Sequence, residues 1–130
     1  MASGQSFSFE SVLSDPTKLE EIRAAKDAGY RIDLYFVCTE DPDINVARVA
    51  NRARLGGHSV PEVRIRERYG RTLENLVPAL LLSDRAYLFD NSGEAMVLVL
   101  EADGKSLHLH SEPLPAWVEE HLILPLRARD

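Results

Sequence analysis

Residues 32–38 (Ile-Asp-Leu-Tyr-Phe-Val-Cys) form a β-rich apolar run with a capped helix signal on each side, and that alternation constrains the fold more than any other feature. Such a run suits a strand covered on both faces. Upstream, Ser14 or Asp15 can cap a helix with Pro16 in its first turn. Leu19, Ile22 and Ala25 recur there at helical spacing and Gly29 supplies a stop, which predicts a helix of roughly 13 residues. Downstream, Asp41 and Pro42 repeat the cap-and-proline signal, and Val46, Val49, Ala50 and Ala53 make a narrow apolar stripe ended by Gly56 and Gly57. Ahead of all this, Phe7, Ser8, Phe9, Glu10 and Ser11 alternate as a short strand ending in an acidic residue.

The second half continues the pattern. Ser59 can cap a third helix with Pro61 just inside it, and Ile65, Tyr69, Leu73, Leu76 and Leu80 give it an apolar stripe. Pro78 should end or kink that helix near Leu76 or Val77, because its ring clashes with the preceding turn. Residues 86–89 predict a strand running into Asp90, Asn91 and Ser92. Residues 96–100 and 107–110 flank Asp103 and Gly104 as a hairpin, and a short helix is expected over residues 116–123. Strands alternating with helices imply an α/β fold with a largely parallel sheet and a small antiparallel addition. At 130 residues, with no repeat or linker, one domain covering the whole chain is expected.

No apolar run approaches the roughly 20 residues of a membrane span, and the polar start lacks the basic and apolar regions of a signal peptide; a cytoplasmic location is the expectation. Cys38 stands alone within an apolar stretch and reads as a small buried core residue. The net charge of −6 argues against nucleic acid as a partner, since that binding draws on clustered positive charge. Locally the sign reverses. Arg48, Arg52, Arg54, Arg64, Arg66, Arg68 and Arg71 are seven of the fifteen basic residues, opposed in that stretch by Glu62 and Glu67.

A flexible glycine pair followed by a helix displaying guanidinium groups suits a lid over a phosphate ligand, because arginine binds phosphate oxygens bidentately and stays charged. Arg64, Arg68 and Arg71, at spacings of four and three, share a helix side; the ordinary role of such charge is a solvated outer face. Histidine is a common acid–base residue, yet with no carboxylate or nucleophile at local spacing His58 reads as a residue fixing the Gly57 turn rather than a base. His108 and His110 lack the further ligands of a structural zinc site, so no protein metal site is predicted.

The string GGHSVPEVRIRERYGRTLENL, with AGYRIDLYFVCTEDPDINVARVANR before it and LSDRAYLFDNSG after it, resembles the later half of the zeta-toxin and UDP-N-acetylglucosamine kinase-like P-loop phosphotransferases. The resemblance covers roughly residues 7–93 and leaves the hairpin and final helix of residues 94–130 outside it. It implies a P-loop kinase-like fold, ATP and magnesium as cofactors, and an acceptor of nucleotide-sugar type. It further implies that Arg68 and Arg71 stabilise the transferring phosphate, with Arg52 on the preceding helix also at the nucleotide. Glu10 and His58 would lie on the acceptor side, with helix capping the other reading for Glu10. Asn91 and Ser92 would lie beside the adenine, and an ordinary turn is the equal alternative.

One element of such kinases is missing. No GxxxxGK[ST] occurs in the 130 residues; Gly104, Lys105 and Ser106 imitate its tail, but Val99 stands where the first glycine is needed. The acidic general base that follows that loop is absent as well. In this family the loop's strand lies between those corresponding to residues 7–10 and 32–38. The sheet is thus expected to be incomplete on its N-terminal side, and either to close the gap directly or to pair with another chain, a second copy or a P-loop-bearing partner. A kinase fragment inactive alone is one expectation; a noncatalytic phosphate-ligand-binding or regulatory module is the other.

Overall fold

In the computed structural model, residues 6–10, 16–104 and 106–128 are described, with side chains omitted at residues 6–10 and 16. The elements are β1 (Ser6–Glu10), α1 (Pro16–Asp27), β2 (Arg31–Cys38), α2 (Pro42–Arg54), α3 (Glu62–Glu74), α4 (Leu76–Leu82), β3 (Arg85–Asp90), β4 (Val97–Asp103) and β5 (Ser106–Leu109). A helical segment closes the chain: α5 (Ala116–Val118), a π-helical turn (Glu119–Ile123) and α6 (Leu124–Ala128). The fold is α/β, with one open mixed sheet and flanking helices.

Strand order follows chain order, β1-β2-β3-β4-β5. β1, β2 and β3 are parallel, and the β4–β5 hairpin adds antiparallel onto β3. β1 pairs directly with β2, Ser6 opposite Arg31 and Glu10 opposite Tyr35.

The sheet buries one face. Ile32, Leu34 and Phe36 of β2 and Ala86 and Leu88 of β3 are 0% exposed, and the register aligns them with Leu100 and Ala102 of β4. Ile22 and Ala25 of α1, Leu76, Ala79 and Leu80 of α4, and Trp117, Val118 and Leu122 of the C-terminal segment complete this core. β2 is therefore not covered on both faces as its apolar run suggests. Its alternate residues Arg31, Asp33, Tyr35 and Val37 are exposed or half-buried, and Tyr35 stacks on Tyr87 with ring centroids 5.0 Å apart. Period-two patterning with an aromatic on the outer face mimics a doubly buried strand.

Asp41 caps α2, its carboxylate accepting from the Asp43 N–H at 2.8 Å. The Ser14 or Asp15 cap expected for α1 lies outside the described residues. For the next helix one expectation is corrected and one is shifted. Pro61, not Ser59, occupies the cap of α3. The expected break ahead of Pro78 is present but falls slightly earlier, at Asn75, and the chain resumes as α4 with Pro78 in its first turn. A proline denies its nitrogen to the carbonyl four residues back, here Glu74, where α3 stops, and a first turn tolerates the missing donor. The last helix runs past residue 123, through a π turn, to Ala128.

Candidate functional site

The carboxyl ends of β2 and β3 open into a cleft of about 1130 Å³. In open α/β sheets this end, where loops leave the strands, is the usual place for ligands. The volume slightly exceeds that of ordinary small-molecule sites, which run to about 1,000 Å³. Val37, Cys38 and Thr39 from β2 and its exit form the floor. Asn45, Arg48, Val49, Asn51 and Arg52 line it from α2, and Ile65, Arg68, Tyr69 and Thr72 from α3. Asn91, Ser92, Gly93 and Glu94 close the remaining side.

Polar groups brace this frame more than apolar ones do. α2 has no buried residue, and α3 buries only Ile65 and Leu73. Thr39, 4% exposed, is the junction: its carbonyl accepts from the Tyr69 hydroxyl at 2.7 Å, and its Oγ1 lies 2.5 Å from Asn45 Oδ1. Both helices are thereby tied to the end of β2. Arg66 bridges them again by pairing with Asp43 of α2 and Glu62 of α3. On the opposite side, Asn91 N–H donates to the Cys38 carbonyl at 2.8 Å, and Glu40 N–H donates to Ser92 Oγ at 2.8 Å. Asp90 Oδ1 accepts from Ser92 N–H, while its Oδ2 accepts from Trp117 Nε1–H, each at 2.8 Å. The Asp-Asn-Ser turn thus couples the cleft wall to the C-terminal segment.

Three guanidinium groups, of Arg48, Arg52 and Arg68, meet one carboxylate, Glu94, among the lining residues. Arg48 Nη2 donates to the Ser92 and Gly93 carbonyls at 3.4 and 3.2 Å, which holds its charge against the wall. Arg52 and Arg68 are exposed and have no ion pair among the described residues. Burial pushes the Cys38 thiol up to about 11, against partial relief from a backbone hydrogen bond at Thr39. Burial, reinforced by the neighbouring Cys38, likewise raises the Tyr69 phenol above its ordinary 10.0. At neutral pH both are uncharged, so the cleft is a locally cationic pocket in an acidic chain. It suits an anion rather than a bare divalent cation, for which one carboxylate is too few ligands. Among the described residues no group of three or more His, Cys, Asp or Glu could hold a metal.

Of the residues singled out by sequence, Arg52, Arg68, Asn91 and Ser92 come together here. Arg71, Arg64 and His58 are not among the lining residues. The Gly57 turn next to His58 is held by backbone, Gly57 N–H donating to the Arg52 carbonyl at 2.8 Å. Glu10 ends β1, and its side chain lies outside the described residues. Gly104 makes the β4–β5 turn at φ +60°, whereas Lys105 lies outside the described residues. Arg48, Thr39, Asn45, Asn51 and Tyr69 were missed. Arg48 was discoverable, since it precedes Arg52 by one helical turn and must share its face.

Comparison with known proteins identifies little. An uncharacterized protein of Haemophilus influenzae is 32% identical over 63 residues, a stretch spanning 48% of this chain and 45% of that protein. No protein-family model and no solved structure matches the chain. Among the described residues, no helix is long and apolar enough to cross a membrane.

Proposed function

We propose that this chain binds the phosphate groups of a small phosphorylated ligand in the cleft at the carboxyl ends of β2 and β3. One observation carries the reading: Arg48 and Arg52 of α2 and Arg68 of α3 open onto the same cleft, with Arg52 and Arg68 outside any ion pair among the described residues. Two helices converge their cations on one volume, a stronger requirement than a solvated charged face. Asn45, Asn51, Asn91 and Thr72 supply neutral donors for the rest of a polar ligand.

The zeta-toxin-like resemblance makes ATP or a nucleotide sugar the natural candidate, with Arg52 and Arg68 holding the phosphates. ATP, when bound, would bring its own magnesium and a transferable phosphoryl group. The chain's own residues bind and orient, and no transfer step is assigned to them, because the 130 residues contain no GxxxxGK[ST] and no identified base. The chain is therefore proposed as a phosphate-ligand-binding module of kinase-like descent, noncatalytic by itself.

Calorimetric titration of ATP with magnesium, at low and moderate salt, tests this. Arg52→Ala and Arg68→Ala should each weaken binding by about tenfold to a hundredfold, the loss of a charge-assisted hydrogen bond worth about 1.5–3 kcal/mol. Arg71→Ala, outside the cleft, should leave affinity unchanged. Absence of binding by the parent to ATP and to inorganic tripolyphosphate alike would overturn the proposal.

A further inference from the structure

β5 is the outer strand at the antiparallel end of the sheet. Its inner side is fully engaged: Leu109 faces Leu100, His108 faces Glu101 and Leu107 faces Ala102, and the His110 N–H donates to the Val99 carbonyl at 2.9 Å. Hydrogen-bonded and non-bonded pairs alternate along an antiparallel ladder. The inward donor at His110 therefore fixes the phase. His108 bonds inward to Glu101, and the N–H and C=O groups of Leu107 and Leu109 point outward from the sheet.

The side chains give a second, independent sign. Register places Leu107 and Leu109 on the face that carries Leu100 and Ala102, which are 0% and 5% exposed. Leu107 and Leu109 are nevertheless 40% and 59% exposed. The apolar face continues past the helices that cover it and ends in backbone groups with no strand partner among the described residues, an arrangement that recruits another strand.

We propose that this edge pairs with the same edge of a second copy of the chain, β5 antiparallel to β5 about a twofold axis at His108. In that register each Leu107 faces the second copy's Leu109. The four outward N–H and C=O groups of one edge then meet the four of the other, with none left over. The leucines form two apolar cross-strand pairs, the basic unit of sheet stabilisation. Charge favours the same occupant: the chain carries −6 overall, but residues 105–111 contain no carboxylate, so two copies approach at this edge without repulsion between facing acids. Pairing of β5 with β1 of another copy would propagate into an open filament, whereas the twofold contact closes. A four-residue strand buries far less than the roughly 1,200 Å² of a standard stable interface, so association is weak and concentration-dependent.

Sedimentation velocity across a series from low micromolar to millimolar should show the mass rising from one chain toward two. Leu109→Pro removes an outward donor while leaving the inner ladder intact, and should hold the protein at one chain with an unchanged near-ultraviolet spectrum. Leu107→Lys should do the same. Should either variant fail to fold, amide exchange on the parent decides: the Leu107 and Leu109 amides should slow by about tenfold or more at the high-concentration end. A parent that stays at one chain throughout, association unaffected by folded variants, or concentration-independent exchange at those amides each overturns the proposal. An edge reserved for a strand from a different protein would give the first of these results.

Discussion

Alkaline pH should destabilise this fold through Cys38, a residue that looks inert. The residue is 8% exposed in the wall of the cleft, and its thiol lies 3.4 Å from the Thr39 carbonyl to which it donates and is pushed by burial from 9.0 to about 11. The folded chain thus holds the thiol proton more tightly than the unfolded chain. Below about pH 8 both states are protonated and stability is independent of this group. Between 9 and 11 the unfolded chain ionises and the folded chain does not, so stability is lost as pH rises through that window. Each pH unit within it removes up to about 1.4 kcal/mol, so the loss is on the order of 1 kcal/mol at pH 10 and approaches roughly 3 kcal/mol well above pH 11. Tyr69 acts in the same direction at higher pH, since its raised phenol also favours the protonated folded state. Urea unfolding of the parent and of Cys38→Ala at intervals from pH 7 to 10 isolates the thiol. The variant should be the less stable protein at pH 7, because it leaves a cavity, and the gap should narrow by on the order of 1 kcal/mol by pH 10. A gap that stays constant over that range would refute the argument that burial controls this thiol.

Two further outcomes follow from the geometry. Trp117→Phe deletes the indole donor to Asp90 Oδ2, and uncoupling the turn after β3 from the C-terminal segment should cost about 1–3 kcal/mol in urea unfolding followed by far-ultraviolet dichroism. Gly57→Ala and Gly70→Ala should have opposite signs in thermal unfolding. A Cβ at Gly57 would lie 2.9 Å from the Arg52 carbonyl oxygen and destabilise by about 1–3 kcal/mol, whereas Gly70 in α3 has open space and should gain about 0.5–1 kcal/mol from helix propensity.

The contrast between Arg68 and Arg71 shows how far the sequence could be read and where reading had to stop. Element positions were legible because their signals are local: Asp41 caps α2 with its own carboxylate, Gly29 takes φ +92° after α1, and Gly104 turns the hairpin at φ +60°. Strand order was not, because nothing in residues 6–10 states which neighbour they will choose. The break at Asn75 was displaced from its expected place because a proline acts on the carbonyl four residues behind it. For the site, spacing correctly said that Arg64, Arg68 and Arg71 lie on one side of α3, but not which way that side would turn. Tertiary contacts set that angle. Leu73 and Ile65 are buried, and Tyr69 is held by the Thr39 carbonyl, so Ile65, Arg68, Tyr69 and Thr72 face the cleft. At about 100° per residue, Arg68 lies at the flank of that arc, and Arg64 and Arg71 fall a further 40–60° round, beyond it. The burial of Ile65 and Leu73 and the hydroxyl of Tyr69 together select which arginine of the three lines the cleft, and that selection depends in part on a backbone carbonyl thirty residues away that periodicity alone could not point to.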